Sequence, residues 1–339
     1  MALITVVIPI YNEVGTLSEL LRRLNLVREG LSDHELELVF VDNASDDGSG
    51  EEIARLAASD PSIRYVRFSR NFGPSVEASM TAGFRVARGD AVVVLYSDLQ
   101  DPPELIPAMV EAWEQGADVA YGRQRRRQGE SRTRRTAIRV FYRLMTRTSD
   151  SPMHTDSGDF RLVSRRVCMA LLAMPERVRY TRGLISWLGF RQVPIEYDRQ
   201  PRTAGRSKAN FAAISRTALN AITSFSLRPL QLLTAAGFAI AAAASVGALA
   251  YFVLFIIGRT LPGVTTLALL LLFSIGVNMA AVGLIGEYVG RIYMEVKARP
   301  LYVIDEESSH YRVESDTGLG FSFDHLGDEP PGGFEELPD

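Results

Sequence analysis

Residues 3–13 read LITVVIPIYNE, in which an apolar run from Leu3 to Ile10 is followed at once by polar side chains. The run is too short to cross a membrane as a helix. It also lacks the basic start and the small-residue cleavage site of a signal peptide. A short and continuously apolar segment is typical of a strand that is buried on both faces. We therefore predict that the chain begins with a buried strand.

Similar apolar runs recur along the first 200 residues, with helical patterns between them. The further predicted strands are 36–41, 63–68, 91–96 and 119–121, and the helical patterns are 14–28, 50–58, 76–87 and 104–115. This alternation predicts an α/β domain over residues 1–200, with a mostly parallel sheet flanked by helices. Such sheets bind ligands beyond the carboxyl ends of their strands. We expect the functional residues to lie there.

The composition excludes several classes of function. The 339 residues include 37 basic and 40 acidic side chains, so the net charge gives no reason to expect nucleic-acid binding. Eleven of the acidic residues lie between Val303 and Asp339, and we predict that residues 305–339 form an acidic, disordered tail. The single cysteine, Cys168, excludes an intramolecular disulfide, and the four histidines have no zinc-site spacing.

Two long uncharged segments predict a membrane hairpin. Leu230 to Ile257 and Val264 to Gly286 contain no charged residue, and each is long enough to cross a bilayer as a helix. Basic residues flank the pair on the outer sides, so the positive-inside rule places both termini in the cytoplasm. We predict amphipathic juxtamembrane helices over 201–229, two spans over 230–290 and a cytoplasmic return segment over 291–304. The lipid bilayer is therefore a predicted partner.

Polar residues follow the first two predicted strands. Pro9 to Glu13 follow the first strand, and Asp42 to Ser49 follow the second. An acidic residue at a strand end accepts a hydrogen bond from a ribose hydroxyl or a base N–H in other nucleotide-binding α/β sheets. The alternative is that Asp42 and Ser45 only form a turn or cap the next helix.

The fourth predicted strand is followed by residues 96–104, which read YSDLQDPPE. Asp98, Gln100 and Asp101 supply the hard oxygen ligands that Mg²⁺ and Mn²⁺ prefer. A divalent ion there would neutralise the charge that develops on a departing nucleoside diphosphate. The alternative is that residues 101–104 only begin a helix, with proline in its first turn. That alternative accounts for the prolines and leaves Asp98 unexplained.

The motifs together resemble those of the family-2 glycosyltransferases, specifically the polyisoprenyl-phosphate glycosyltransferases. The matching stretches run in the family's order from about Ile4 to Val303. They are IPIYNE (8–13), VD (41–42), SRNFG (69–73), GD (89–90), SDLQDPPE (97–104), GDFRL (158–162), PER (175–177), RGL (182–184), WLGF (187–190), RTAGRSK (202–208), SFS (224–226) and GEYVGRIY (286–293).

The resemblance implies a GT-A fold, a divalent metal ion (Mg²⁺ or Mn²⁺) and a nucleotide-sugar donor. It also implies a polyprenyl phosphate as acceptor, which in a bacterium is undecaprenyl phosphate. One sugar would be transferred with inversion at the anomeric carbon. By the same resemblance we expect a homo-oligomer in the inner (plasma) membrane, with the catalytic domain in the cytoplasm.

Site residues are expected in four groups. Asp159 matches the family's active-site carboxylate, as base or as a group that orients sugar and acceptor, and Asp98 is the second catalytic candidate. Asp98 and Gln100 are the expected metal ligands. The acceptor phosphate is assigned to Arg202, Arg206 and Lys208, whose alternative is ordinary juxtamembrane charge. The residues expected to bind the nucleotide sugar are Pro9, Tyr11, Glu13, Asp42, Asn71, Ser97 and Asp98.

A basic stretch follows the fifth predicted strand. Eight arginines lie between Arg123 and Arg139, with one acidic residue, Glu130. We expect this stretch to close over the donor diphosphate or to rest on anionic lipid, with Arg123 and Arg127 as contacts. Solvated surface charge is the alternative, and RNA binding is disfavoured because no aromatic side chains are interleaved. Arg161 is expected to contact a phosphate or to pair with an acidic side chain.

The chain departs from the resembled family at Tyr96. The family carries Asp-x-Asp here, and this sequence reads Tyr96-Ser97-Asp98. Tyr96 supplies no carboxylate, so we expect it to stack on the donor or to form a hydrogen bond with it. The departure motivates one alternative function, a membrane scaffold or sugar-binding subunit without catalysis. A processive polysaccharide synthase is disfavoured, because two predicted spans are too few for a translocation channel.

Overall fold

A computed structural model of the chain describes residues 1–73, 76–124, 157–197, 228–257 and 263–310. Within these ranges lies one seven-stranded sheet with helices on both faces. The strands are β1 (Leu3–Ile10), β2 (Glu35–Asp42), β3 (Ile63–Arg67), β4 (Ala91–Val94), β5 (Val119–Gln124), β6 (Ser157–Ser164) and β7 (Gln192–Tyr197). The helices are α1 (Val14–Gly30), α2 (Ser49–Ser59), α3 (Glu77–Val86), α4 (Ile106–Glu114), α5 (Arg165–Ala173), α6 (Thr181–Trp187), α7 (Arg228–Ile256) and α8 (Val264–Lys297), and a 3₁₀ turn (Pro103–Leu105) precedes α4.

The strand order across the sheet is β3-β2-β1-β4-β6-β5-β7. β1 pairs in parallel with β2 and β4, β2 with β3, and β5 with β7, whereas β6 runs antiparallel to both β4 and β5. The carboxyl ends of the parallel strands therefore lie at one edge of the sheet, where β6 begins. This arrangement confirms the predicted α/β fold with a mostly parallel sheet.

The predicted elements of the first 124 residues are all present. β1 has the predicted bounds, and the other four predicted strands and all four helical patterns match within a few residues. β4 ends at Val94, two residues earlier than predicted, so Tyr96 lies beyond the strand. The predictions lacked β6, β7, α5 and α6, which complete the sheet and cover its second face.

Alternate residues of the strands pack on opposite faces of the sheet. Val6 and Ile8 lie in the core beneath α1 and α4. Val7 lies in the core beneath α3 and α5. A Cβ added at Gly83 would overlap the side chain of Val7, so glycine there lets α3 pack closely on β1. Because helices cover both faces of the sheet, we expect the functional residues at the strand ends.

Residues 301–310, which we call the strap, return from α8 to the outer edge of β3. His310 and Tyr65 exchange both backbone hydrogen bonds, of 2.8 and 3.0 Å. Asp305 N donates to Arg67 O (2.8 Å), and Ser69 N donates to Val303 O (3.0 Å). We predicted that a disordered tail begins at residue 305, whereas in the structure Asp305 and His310 are hydrogen-bonded to β3. The prediction relied on the acidic side chains of residues 305–307. Pairing at the edge of a sheet uses backbone groups, so acidic side chains do not prevent it.

The two uncharged segments form the helices α7 and α8. α8 continues to Lys297, eleven residues beyond the predicted end of the second uncharged segment, and Ala298 closes it in the left-handed conformation (φ 50°). In the part of the chain that the structure describes, no helix is both long enough and apolar enough to cross a membrane. The predicted two-span hairpin stays a prediction. The predicted juxtamembrane helices lie almost entirely outside the described residues.

Candidate active site

The register between β4 and β6 brings two polar residues together at the edge of the sheet where the parallel strands end. Val94 of β4 lies opposite Arg161 of β6 in an antiparallel pair. Two residues beyond Val94 is Tyr96, and two residues before Arg161 is Asp159. Antiparallel pairing places these two residues opposite each other. The pairing of β4 with β6 therefore places Tyr96 beside Asp159.

Asp159 is held by one phenol and one guanidinium. Tyr96 Oη donates to Asp159 Oδ2 at 2.6 Å. Arg182, at the start of α6, places Nε 2.6 Å from Oδ1 and Nη2 3.0 Å from Oδ2. This two-pronged contact fixes both the position and the plane of the carboxylate. Asp159 thus pairs with an arginine, and its predicted catalytic role remains a prediction.

Tyr96 is a neutral donor at physiological pH. Burial of its hydroxyl, together with the negative charge of Asp159 and the hydrogen bond to it, raises the pKa of Tyr96 well above 10.0. All three causes favour the protonated phenol, because an ionised one would be desolvated beside a carboxylate. The structure shows the Tyr96 hydroxyl bound to Asp159, and the expected stacking or hydrogen bonding of Tyr96 with the donor stays a prediction.

A second carboxylate, Glu77 at the start of α3, holds the beginning of α6. Both of its oxygens lie 3.2 Å from Thr181 N, and the Thr181 hydroxyl donates to Oε2. Burial raises the pKa of the Glu77 carboxyl, the Thr181 hydrogen bonds oppose the shift, and the charge of Asp159 adds to it. Two carboxylates and the guanidinium of Arg182 therefore share one half-buried cluster.

Arg161 lies beneath this cluster, inside the protein. The residue is 4% exposed, and its Nη2 donates to Gly158 O at 2.6 Å. Burial lowers the pKa of Arg161, and the charge of Asp159 acts in the opposite direction. The hydrogen bond to Gly158 is to a carbonyl oxygen, so both predicted roles of Arg161 stay predictions.

Asp42 at the end of β2 is fully buried and has several partners. Its Oδ1 accepts from Ser45 N (2.8 Å) and Ser45 Oγ (2.6 Å), and its Oδ2 accepts from Tyr65 Oη (3.0 Å). Arg67 Nη1 lies 3.8 Å from Oδ2. A Cβ at Gly50 would collide with this group, which explains a glycine in the first turn of α2. The structure thus shows the turn that was the alternative to a nucleotide contact.

The loop after β1 is tied to the loop after β2. Asn12 Nδ2 donates to Asp46 (2.8 Å), and Asp46 N donates back to Asn12 Oδ1 (3.0 Å). Glu13 N donates to Ser49 Oγ (3.0 Å). Tyr11, between these anchored residues, remains 43% exposed. An exposed ring on a rigid loop is suited to stacking against a flat ligand.

Asn71 and Ser97 also lie at this edge, where they contact the neighbouring strand ends. Asn71 Oδ1 accepts from Gly73 N (2.7 Å) and from Asn43 Nδ2 (3.2 Å). Ser97 Oγ lies 3.5 Å from Pro9 O. Asn43 contacts Asn71 through its side-chain N–H, a donor that an aspartate in its place would lack. The ends of β1, β2, β3 and β4 therefore form one connected rim.

Asp98, a predicted metal ligand, lies at this rim. It is half-buried, and its Oδ1 accepts from Gln100 N at 3.2 Å. Asp101 is buried and accepts from Tyr197 Oη. Among the described residues there is no group of three or more His, Cys, Asp or Glu side chains that is arranged to hold a metal ion. Mg²⁺ usually takes one or two carboxylates and completes its shell with substrate phosphates and water, so this donor set fits a substrate-bridging ion.

The remaining predicted contacts are divided between the described and undescribed parts of the chain. Arg123 is described, and its guanidinium pairs with Glu196 across β5 and β7. Arg127, Arg202, Arg206 and Lys208 lie outside the described residues. The predictions did not include Arg182, Glu77 or Thr181 among the site residues. The only available signal was the RGL stretch at 182–184 in the family resemblance.

Comparisons with known proteins agree with these features. The family model described as "Glycosyl transferase family 2" matches residues 5–172. The uncharacterized glycosyltransferase sll0501 of Synechocystis sp. is 39% identical over 308 residues, which are 89% of this chain and 95% of that protein. The prophage bactoprenol glucosyl transferase homolog of Escherichia coli is 37% identical over 302 residues, 89% of this chain and 98% of that protein.

Among solved structures, glucosyl-3-phosphoglycerate synthase from Mycobacterium tuberculosis, in complex with Mn²⁺, uridine-diphosphate-glucose and phosphoglyceric acid, overlaps 66% of this chain and 79% of its own. The TM-score is 0.42 and the identity 20%. An overlap at this level carries no argument about the ligands of the present chain.

Proposed function

The chain belongs to glycosyltransferase family 2, and on that premise we propose that it transfers one sugar from a nucleotide donor to a polyprenyl phosphate. The observation that carries the proposal is Asp159, which Tyr96 and Arg182 hold at the strand-end rim. Relatives that match along nearly their whole length support the acceptor, since several are named bactoprenol glucosyl transferases. In a bacterium the acceptor is undecaprenyl phosphate.

We assign the nucleotide-sugar donor to the rim formed by the ends of β1, β2, β3 and β4. Tyr11 stacks on the base, and Pro9 and Glu13 line the same loop. Asp42 and Asn71 shape the adjoining turns through the contacts described above. Ser97 and Asp98 lie next to the sugar diphosphate.

A divalent ion, Mg²⁺ or Mn²⁺, would be held by Asp98 and Gln100 together with the donor diphosphate. When bound, it supplies positive charge to the departing nucleoside diphosphate. Tyr96 leaves this shell with one carboxylate fewer than the family pattern. Retention of the ion then relies more on the donor phosphates than on protein ligands.

The acceptor needs little help to become a nucleophile. A phosphate monoester has a second pKa of about 6, so it is mostly a dianion at neutral pH. One of its oxygens forms a bond to the anomeric carbon while the bond from that carbon to the diphosphate breaks, which inverts the configuration. Asp159 orients the sugar and the incoming phosphate, and Arg182 offsets the negative charge that gathers around the reacting groups. Position, more than proton transfer, accounts for catalysis.

The membrane attachment rests on the sequence. The acceptor lies in a bilayer, and the uncharged segments from Leu230 to Ile257 and from Val264 to Gly286 would bring the catalytic domain to it. Arg202, Arg206 and Lys208 bind the lipid phosphate just before the first span. The proposed location is the inner membrane, with both termini in the cytoplasm and the protein as a homo-oligomer.

The test is formation of a glycolipid. The purified full chain is incubated with undecaprenyl phosphate, Mn²⁺ and a panel of labelled nucleotide sugars, and lipid products are separated and identified by mass. The proposal predicts a polyprenyl-phosphate sugar with one donor, lost on chelation and in Asp98→Ala. Failure with every donor, in protein that is folded, contradicts the proposal. Activity that persists undiminished after chelation contradicts the metal.

A further inference from the structure

The last turn of α8 carries a carboxylate that binds a loop of the catalytic domain. Glu295 Oε1 accepts from Arg177 N and Val178 N, both at 3.0 Å. Its Oε2 accepts from Arg177 N at 2.9 Å. The loop concerned, residues 174–180, connects α5 to α6. Because the donors are backbone groups, the contact fixes the path of the loop.

An acidic residue at this position is unfavourable for the helix itself. The C-terminal end of a helix carries partial negative charge, which disfavours a carboxylate in the last turn. The basic residue of that turn is Lys297. Glu295 therefore weakens α8 slightly, and its compensating interaction is the set of charge-assisted bonds to the loop.

The same loop is held at its other end by the active-site cluster. Thr181, three residues after Val178, binds Glu77 through its backbone N–H and its hydroxyl. Between the two anchors, Arg179 folds back and donates to the carbonyl oxygens of residues 171, 174 and 176, at 2.6 to 3.1 Å. The residue that follows Thr181 is Arg182, which binds Asp159. The loop is thus anchored to α8 at Arg177 and Val178, and Thr181, at its end, is anchored to Glu77.

We propose that Glu295 is a positioning residue for sugar transfer. By fixing Arg177 and Val178 it sets where α6 begins, and hence where Arg182 meets Asp159. Glu295 does not touch the reacting groups and acts through Arg182. The inference rests on the proposed function for its catalytic effect. Direct hydrogen bonds join the proposed membrane helix to the loop that precedes Arg182.

The first test measures the loop itself and does not depend on activity. Hydrogen–deuterium exchange is compared for wild type, Glu295→Ala and the matched control Glu307→Ala, all as full chains in detergent. Glu307 is an exposed residue of the strap, so its removal changes the charge equally. We expect faster exchange across residues 175–187 in Glu295→Ala alone. Unchanged exchange there would overturn the proposal.

The second test measures glycolipid formation. Glu295→Ala should lower kcat by about ten- to a hundredfold, the loss that a misplacement of about 1 Å produces. The KM for the nucleotide sugar should change less than about twofold, because the donor rim is untouched. Glu295→Gln, which retains one accepting oxygen, should restore part of the rate. A loss confined to KM, or no loss, would contradict a positioning role.

The third test asks whether Glu295 acts through Arg182. In an Arg182→Ala background, the added Glu295→Ala change should lower kcat by less than about twofold, because the two losses share one cause. Fully additive losses would show that Glu295 acts elsewhere and would overturn the proposal. If wild type itself forms no glycolipid, the proposed function fails, while the exchange experiment still decides whether Glu295 holds the loop.

Discussion

Replacing Tyr96 by phenylalanine removes one oxygen atom from the site and keeps the ring. In the structure, Asp159 accepts a hydrogen bond from Tyr96 Oη at 2.6 Å and is also contacted by two nitrogens of Arg182. The variant leaves the Arg182 contacts in place. Asp159 would then be held by Arg182 alone, and the site would lose its uncharged donor.

The size of the effect follows from the bond that is lost. A hydrogen bond to a charged group contributes about 1.5–3 kcal/mol. At about 1.36 kcal/mol per tenfold, that range corresponds to a decrease of about 10- to 150-fold in rate. Because Arg182 still holds the carboxylate, we expect the lower end, about tenfold, in kcat. The KM for the nucleotide sugar should stay within about twofold of the wild-type value, because the rim residues, including Tyr11 and Ser97, are unchanged.

The assay is steady-state formation of polyprenyl-phosphate sugar by Tyr96→Phe and by the control Tyr302→Phe. Tyr302 is a residue of the strap whose ring stacks on Phe68, and its variant loses the same oxygen. Because the pKa of Tyr96 is raised above 10.0, its phenol stays protonated and the deficit should be constant from pH 7 to about 10. A folded Tyr96→Phe enzyme with wild-type kcat would show that this hydrogen bond does not contribute to transfer.

Three further predictions concern stability and reactivity. Burial raises the pKa of Glu77 above its ordinary 4.5, so its contribution to stability is complete below that pH and is lost as pH rises through the folded-state pKa; the thermal stability of Glu77→Gln relative to wild type should therefore increase from pH 4 to about 7, and a constant difference would count against it. Burial raises the pKa of Cys168 to about 12, so a maleimide should label the folded chain negligibly and the unfolded chain fully; rapid labelling of the folded chain is the contrary outcome. Truncation after Pro300 uncovers the edge of β3 and should lower the melting temperature by several degrees, whereas truncation after His310 keeps the strap and should not; equal melting temperatures would contradict the role of the strap.

The strands were predictable where both faces are buried. β1 and β4 are short apolar runs, and β2 contains one from Leu38 to Val41, because strands covered on both sides need no polar face. β6 and β7 contain charged residues such as Asp159, Arg161 and Glu196, and they have no such run. Their pairing also joins segments that are far apart in sequence.

The site was predictable to the level of the strand ends and not to the level of its contacts. The sequence marks Tyr96 as unusual, but its partner depends on the register of antiparallel β6, which periodicity does not reveal. Arg182 and Glu77 each lie in the first turn of a helix, where charged residues are ordinary. The tertiary fold brings them beside Asp159 and makes them part of the site.

Under the proposed function, the carboxylate held by Tyr96 and Arg182 acts in the transfer of a sugar to a lipid phosphate. The most direct measurement is a single-turnover reaction with labelled donor and undecaprenyl phosphate, run in parallel on wild type and Asp159→Asn. The amide side chain of that variant retains an acceptor for the phenol and loses the charge that binds Arg182. We predict label in the lipid fraction with wild type and at most about a hundredth of that rate with the variant. Equal rates in the two proteins would exclude this role for Asp159, and label that reaches only water-soluble products would exclude a lipid phosphate as the acceptor.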